Sequence, residues 1–427
     1  MTVHARPAGP PDHGAAGPRR DTALVTGLDV RAANGSGTEA FWQSLLEGRG
    51  GIGPITRFDA SGYPSRLAGE IACDPTATLP GRLLPQTDRV TRLALTSAAQ
   101  ALLDSGLDPA GAPEYGVGVV TANAAGGFEF GQRELEALWA KGPRYVSAYQ
   151  SFAWFYAVNT GQISIRHGLR GPSGVLVSGQ AGGLDAVGHA RRMLRKGTPA
   201  VLTGAMESAL CPWGHVAEMT GGRLSASDRA EGACLPFGEH AAGHVVAEGG
   251  ALLMLESAAA ADARGGTRPY GDIAGYAATF DPPPGSGRPG GPAGAARAAL
   301  ADAGIDPSAI GAVFAEGAAV PELDAQEAAA ITEVFGPDAV PVTAITSHTG
   351  RPGAGASALD LAAALLAVRD GLIPPTAEVG RVQASYRIDL VTGRPRSLAG
   401  GAALVLARGH GGFNSAVVVR RHDERPR

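Results

Sequence analysis

Apolar residues in this chain follow two alternating rhythms. Short β-branched runs such as ALVTGLDV (23–30), GVGVVT (116–121) and VLV (175–177) read as buried strands, whereas apolar positions across 87–105, 128–139 and 184–194 recur three and four residues apart, as on one helix face. Turn residues separate the segments. Asn34-Gly35 closes the first strand, Thr38 is placed to cap a helix over 38–47, and Gly48 stops it. The stretch to Pro85, rich in Gly and Pro and without a clear period, reads as a long ordered loop. Beyond residue 150, SFAWFYAVNTGQISIRHG predicts a buried helix at a domain or subunit contact, because Phe152, Trp154, Phe155 and Tyr156 cluster in a chain otherwise poor in aromatics. After a Gly-rich loop (221–237) and a strand at 250–256, the alternation resumes: strand 270–279, helix 293–303, strand 312–315, helix 324–335, strand 340–345 and an alanine-rich helix within 350–371.

The most informative stretch is VLVSGQAGGLDAVGHARRMLRKGTPAVLTG (175–204). A strand ends in a glycine turn and a helix follows at once. A residue at the apex sits by unpaired N–H groups and the positive end of a helix dipole, a setting that stabilises a thiolate. The apex residue is Gln180, which has no ionisable proton and cannot act as a nucleophile. GRPGAGASALDLAAALLAVRDG (350–371) repeats the design about 170 residues later. Two α/β halves, 21–265 and 266–427, each with a glycine turn entering a central helix, are the simplest architecture.

Composition narrows this picture. A chain of 427 residues, 44% hydrophobic, can bury a large core; with 5% aromatics and 63 glycines that core relies on Ala, Val, Leu and close backbone contacts. The net charge of -4 argues against a nucleic-acid partner. The basic cluster Arg191, Arg192, Arg195 and Lys196 reads as the solvated face of its helix. Three scattered cysteines fit no metal or disulfide pattern, and no apolar run approaches the roughly 18 residues that span a membrane. A cytoplasmic setting without metal is expected, with 1–20 as a disordered extension.

The strings SGQAGGLDAVGHARRMLRKGTP, SFAWFYAVNTGQISIRHGLRGP, PFGEHAAGHVVAEGGALLMLE and GHGGFNSAVVV together resemble the β-ketoacyl synthase family, and within it the chain-length factors (ketosynthase β subunits) of aromatic type II polyketide synthases, over about 23–421. The resemblance implies a thiolase-like α/β fold of five layers, αβαβα. It also implies a heterodimer with a catalytic ketosynthase α subunit, fed by an acyl carrier protein that bears the phosphopantetheine; no cofactor of its own is implied. Active members carry Cys, two His and Lys. By the match, Gln180 takes the cysteine position, Glu316 (in VFAEGAAVPELDAQE) the first histidine, and Thr346 and Arg351 (in AITSHTGRPGAGA) the lysine and second histidine. The glycine register favours Arg351 over nearby His348 for the last place.

Chain extension needs a thiolate to hold the acyl chain and neutral donors for the developing oxyanion. A carboxylate at position 316 would repel that oxyanion, so the chain is expected to be non-catalytic alone. Phe128, Gly131 and Leu135 on one helix face read from spacing as core; the resemblance makes them the wall of a tunnel for the growing poly-β-ketone, with Phe152, Trp154, Phe155 and Tyr156 at the partner interface. Glycine and leucine leave room for a product longer than an octaketide. The rival reading is a malonyl-carrier-protein decarboxylase that generates acetyl primer through Gln180. Two further readings are an independent acyltransferase using Cys211 or Ser178, and a scaffold without influence on product.

Overall fold

The computed structural model describes residues 22–283, 285–287 and 290–422. The expected extension at 1–20 lies outside them. Ten strands form the frame: β1 (Ala23–Ala32), β2 (Val117–Ala122), β3 (Ser173–Leu176), β4 (Ala200–Glu207) and β5 (Gly249–Ser257), then β6 (Gly271–Phe280), β7 (Ala312–Phe314), β8 (Pro341–Thr343), β9 (Ala402–Arg408) and β10 (Phe413–Arg420). The helices in chain order are α1 (Thr38–Leu46), α2 (Arg89–Ser105), α3 (Phe128–Lys141), α4 (Gln150–Ala153), α5 (Val158–His167), α6 (Gly182–Arg195), α7 (Pro212–Met219), α8 (Ala258–Arg264), α9 (Ala293–Ala303), α10 (Pro321–Phe335), α11 (Thr346–Thr349) and α12 (Gly353–Asp370).

Strand order shows a repeat that the sequence carries only faintly. The first five strands lie side by side as β1-β5-β4-β2-β3, and the second five as β6-β10-β9-β7-β8. In both sets the first strand pairs antiparallel with the fifth, the fifth antiparallel with the fourth, and the rest run parallel. The sets join edge to edge where Leu24 and Val25 of β1 meet Asp272 and Gly271 of β6.

Helices complete the layers. α2 packs on β1, β5 and β4, and α9 packs on β6 and β10, while α6 and α12 touch each other and strands of both sets. α12 is buried from Ala354 to Val368, as a helix covered on all sides must be. The two central helices meet backbone to backbone: a Cβ on Gly183 would lie 2.7 Å from the Ala358 nitrogen, so glycine is the residue that fits. One core cluster consequently joins Val25, Val120 and Leu184 to Leu361, Val405 and Val417.

Two expectations change. Arg191 is not on a solvated face: it is buried, donates to the Asp302 carboxylate and the Ala274 carbonyl, and ties α6 to the second set of strands. Nor does the aromatic segment form one buried helix. It breaks into α4 and α5, and Trp154, Phe155 and Tyr156 between them are exposed. Phe152, in α4, is half-buried against Tyr149, whereas the three aromatic side chains in the break turn outward.

Candidate functional site

The glycine turn before α6 brings the four expected positions towards one centre. Gly179 adopts φ 57°, in the left-handed region, and a Cβ there would come within 2.9 Å of the His410 nitrogen, so the GHGGFN loop lies directly over the turn. Gln180 follows at the apex and is half-buried, with its carbonyl Oε1 unpartnered among the described residues. Gln180 and Arg351 line the same cavity, of about 190 Å³.

Across that cavity Arg351 is bonded to Glu316. The guanidinium Nε donates to Glu316 Oε1 at 2.9 Å and Nη2 donates to the same oxygen, with both side chains nearly inaccessible. Glu316 Oε2 accepts the Arg408 amide at 3.1 Å, and Thr346 Oγ1 donates to the Gly317 carbonyl at 2.7 Å. The backbone amides of Glu316 and Gly317 donate to the Glu327 carboxylate group at 2.9 and 3.0 Å. The surroundings are rich in carboxyls: burial pushes Asp324 up to about 7, and burial with the charge of Glu316 raises Glu327 and Asp360 as well. The sequence treats Glu316 as an uncompensated negative charge. In the structure Arg351 neutralises it, and the arginine's own capacity to hold an oxyanion is spent in doing so.

The other candidates fall outside this chemistry. His348 is fully buried, has its Nδ1 3.2 Å from Ser347 Oγ, and is depressed by burial to about 4; it does not line the cavity. Cys211 caps α7, its sulfur accepting from Gly214 N–H at 3.4 Å, and burial pushes its thiol up to about 11, which leaves it protonated at neutral pH. Ser178 donates to Asp185, a carboxylate also bound by Tyr276 and Ser415. No group of His, Cys, Asp and Glu among the described residues is arranged to hold a metal.

One end of the cavity is Phe128, at the start of α3. The buried face of α3 is Phe130, Gly131 and Glu134, so the core stripe read from spacing is only partly right: Gly131 is buried, Phe128 half-buried and Leu135 exposed. The space beside Gly131 is not empty. A Cβ there would meet the Trp213 indole at 3.0 Å, and Trp213 stacks on Phe128 with ring centroids 4.6 Å apart. Gly127 donates to the Trp154 carbonyl at 2.9 Å, which anchors the aromatic segment beside α3. Leu135, Trp139, Trp154, Phe155, Tyr156 and Trp213 are all exposed.

Sequence reasoning missed three residues at this site. Trp213 packs on α3 from α7; Glu207 and His215 line the cavity wall. A usable signal for Glu207 is a carboxylate closing the otherwise apolar strand AVLTGAME, because such a group ends buried at a strand's carboxyl edge, where α/β sites form. Trp213 and His215 carry no local signal.

The N-terminal domain description of the β-ketoacyl synthases matches residues 21–261, and the C-terminal domain description matches 270–380. This chain belongs to the β-ketoacyl synthase family. Within the family it is 57% identical to the tetracenomycin polyketide synthase ketoacyl synthase beta subunit of Streptomyces glaucescens, over 93% of this chain and 98% of that protein. Among solved β-ketoacyl synthases it is similar to the ishigamide ketosynthase/chain length factor (26% identity, TM-score 0.86, 95% of this chain and 100% of that one). It is equally similar to a ketosynthase described as a type II complex with its acyl carrier protein and bound to the hexaketide (26%, TM-score 0.84, again 95% and 100%). The thiolase-like fold and the family's two-part organisation thus agree with the repeated strand order seen here.

Proposed function

We propose that this chain is the chain-length factor of a type II aromatic polyketide synthase: a non-catalytic partner of a ketosynthase α subunit that walls the tunnel receiving the poly-β-ketone. The observation that carries the reading is a pairing of opposites. The position of the nucleophile holds a glutamine and the two histidine positions are locked into the Glu316–Arg351 ion pair, while the adjoining face, from Leu135 to Tyr156, is left as an exposed aromatic patch. Monomers rarely expose such a patch unless something covers it. The partner's site supplies the thiolate, and the acyl carrier protein delivers extender units in the cytoplasm.

Phe128, Gly131 and Leu135 are the length-setting wall, joined by Trp213, whose ring takes up the space that glycine leaves. The open position is therefore Leu135, and the product is longer than an octaketide. A heterodimer reconstituted with an α subunit and malonyl-loaded carrier protein tests this. Leu135→Phe shortens the chain read by mass spectrometry; unchanged length defeats the assignment. The decarboxylase reading is tested in the same assay. Gln180→Ala leaves priming intact under the present proposal, whereas loss of product that acetyl carrier protein restores would favour the rival.

A further inference from the structure

Helix α3, which carries Phe128, Gly131 and Leu135, has no cap of its own. Its N-cap residue is Gly127, without a side chain to bond the orphan amides of the first turn. That residue has to be small: a Cβ there would lie 2.2 Å from the Ala153 carbonyl oxygen and 2.9 Å from the Asp88 Cβ. The missing acceptor comes from Asp88 instead. Asp88 is the N-cap of α2, where its Oδ1 accepts the Val90 amide at 2.9 Å, and its Oδ2 accepts the Phe130 amide of α3 at 2.7 Å. Phe130 is the third residue of α3, a position that a helix's own cap side chain would serve. One carboxylate therefore caps two helices.

The Asp88 carboxylate is buried, and its charge faces the positive ends of two helix dipoles. Arg92, one turn along α2, donates to the Leu84 and Thr87 carbonyls and to Thr87 Oγ1 rather than to Asp88. The other groups at this corner are committed elsewhere: Arg89 to Glu248, Arg57 to Glu129, Arg133 over the Phe130 ring at 4.5 Å from its centroid, and the Cys211 sulfur to the Gly214 amide. Burial pushes the Asp88 carboxyl up to about 6 against the pull of both amides, with Glu129 raising it further and Arg92 lowering it. The acid form has one carbonyl oxygen left to accept and an O–H that faces a donor, so one of the two helices loses its cap. Of the fourteen residues of α3 only Phe130, Gly131 and Glu134 are buried, so few contacts fix where its first turn stands.

We propose that Asp88 is a positioning residue for product length: it holds the first turn of α3, and with it Phe128 and Gly131, in one place without itself touching the growing chain. The proposal rests on the chain-length reading above. A wall held in one place stops the chain at one length, whereas a wall whose first turn slides gives a mixture. Because the acid form of Asp88 caps one helix only, the mixture also emerges in the wild type as pH falls below about 6.

The test uses the heterodimer reconstituted with an α subunit and malonyl-loaded carrier protein, with two readouts: hydrogen exchange of the α3 amides and the distribution of product lengths. Asp88→Ser keeps a good N-cap for α2 but withdraws the oxygen that reaches Phe130, and Asp88→Asn imitates the acid form. In both, exchange over 128–131 is expected to rise by about tenfold or more while that of α2 stays within about threefold, as loss of one hydrogen bond to a charged group predicts. The ratio of the dominant product to its neighbours one ketide unit away is expected to fall about fivefold. A loss of stability alone would lower total product without changing its lengths. Lowering the pH from about 7.5 to about 5.5 is expected to broaden the wild-type distribution and to leave that of Asp88→Asn unchanged. Co-purification with the α subunit verifies folding. Should Asp88→Asn fail to assemble, Asp88→Ser decides; should neither assemble, an unchanged wild-type distribution across that pH range overturns the proposal. Wild-type α3 exchange in assembled Asp88→Ser overturns the positioning role, and raised exchange with wild-type product lengths overturns its link to length. Leu135→Phe, run in parallel, keeps the two readings apart: if it shortens the product while the Asp88 variants leave it as it was, the role of Asp88 alone falls, and if none has an effect, the chain-length reading falls and takes the proposal with it.

Discussion

Two neighbouring regions of this molecule have opposite character. At the centre, where α6 and α12 begin, polar side chains find partners inside the chain: Arg351 with Glu316, Thr346 with the Gly317 carbonyl. Beside it, from α3 across the break between α4 and α5, large apolar side chains stand exposed, Trp139 at 84%. The first region is closed around the Glu316–Arg351 ion pair. The second is open to solvent in the single chain.

The contrast can be broken at its open side most easily. Trp154→Asp places a charge in the middle of the aromatic patch and is expected to weaken α-subunit binding by about 100-fold or more, as loss of a central aromatic anchor does; co-purification and light scattering measure it. On the closed side, Arg351→Ala leaves Glu316 buried and unpaired. The expected loss is about 3–5 kcal/mol in chemical denaturation, whereas Glu316→Leu with Arg351→Met together recover most of it. Between the two regions, Leu135→Phe is expected to change product length while moving stability by no more than about 0.5 kcal/mol, because the side chain is on the surface of the free subunit.

A subtler consequence concerns pH. The folded chain keeps the Glu207 proton up to about 8, while an unfolded glutamate releases it near 4.5. The folded state therefore binds the extra proton in that window, and the contribution of Glu207 to stability falls as pH rises from about 4.5 to 8. Melting temperatures of wild type should drop across this range more steeply than those of Glu207→Gln; parallel curves would show that Glu207 titrates normally. The smallest effect expected is that of Gln180→Ala on product length, which should be nil.

Much of the frame was legible because it is written in local periods. The glycine turn at 179–183, the alanine- and leucine-rich α12 and the strands flanking them follow from spacing that a short window contains. The repeat of strand order was not, since register and adjacency depend on which hydrophobic faces meet after collapse. At the site, the identity of Gln180 and Glu316 could be read, but their environment could not. The ion pair joins residues 35 positions apart on different elements, and Trp213 comes to Gly131 from another helix altogether. The aromatic segment misled for a physical reason. A cluster of Phe, Trp and Tyr predicts burial, and sequence cannot say whether the burying surface belongs to the same chain.

The Glu316–Arg351 pair also bears on how such a chain could change. If either residue alone were replaced by a neutral apolar side chain, the other would remain as an unpaired charge in a site with almost no solvent, at a cost of about 3–5 kcal/mol against a net stability of about 5–15 kcal/mol for a typical domain. Each residue thereby guards the other against single replacement. Two residues 35 positions apart are thereby coupled in sequence change: replacing both together costs far less than replacing either one.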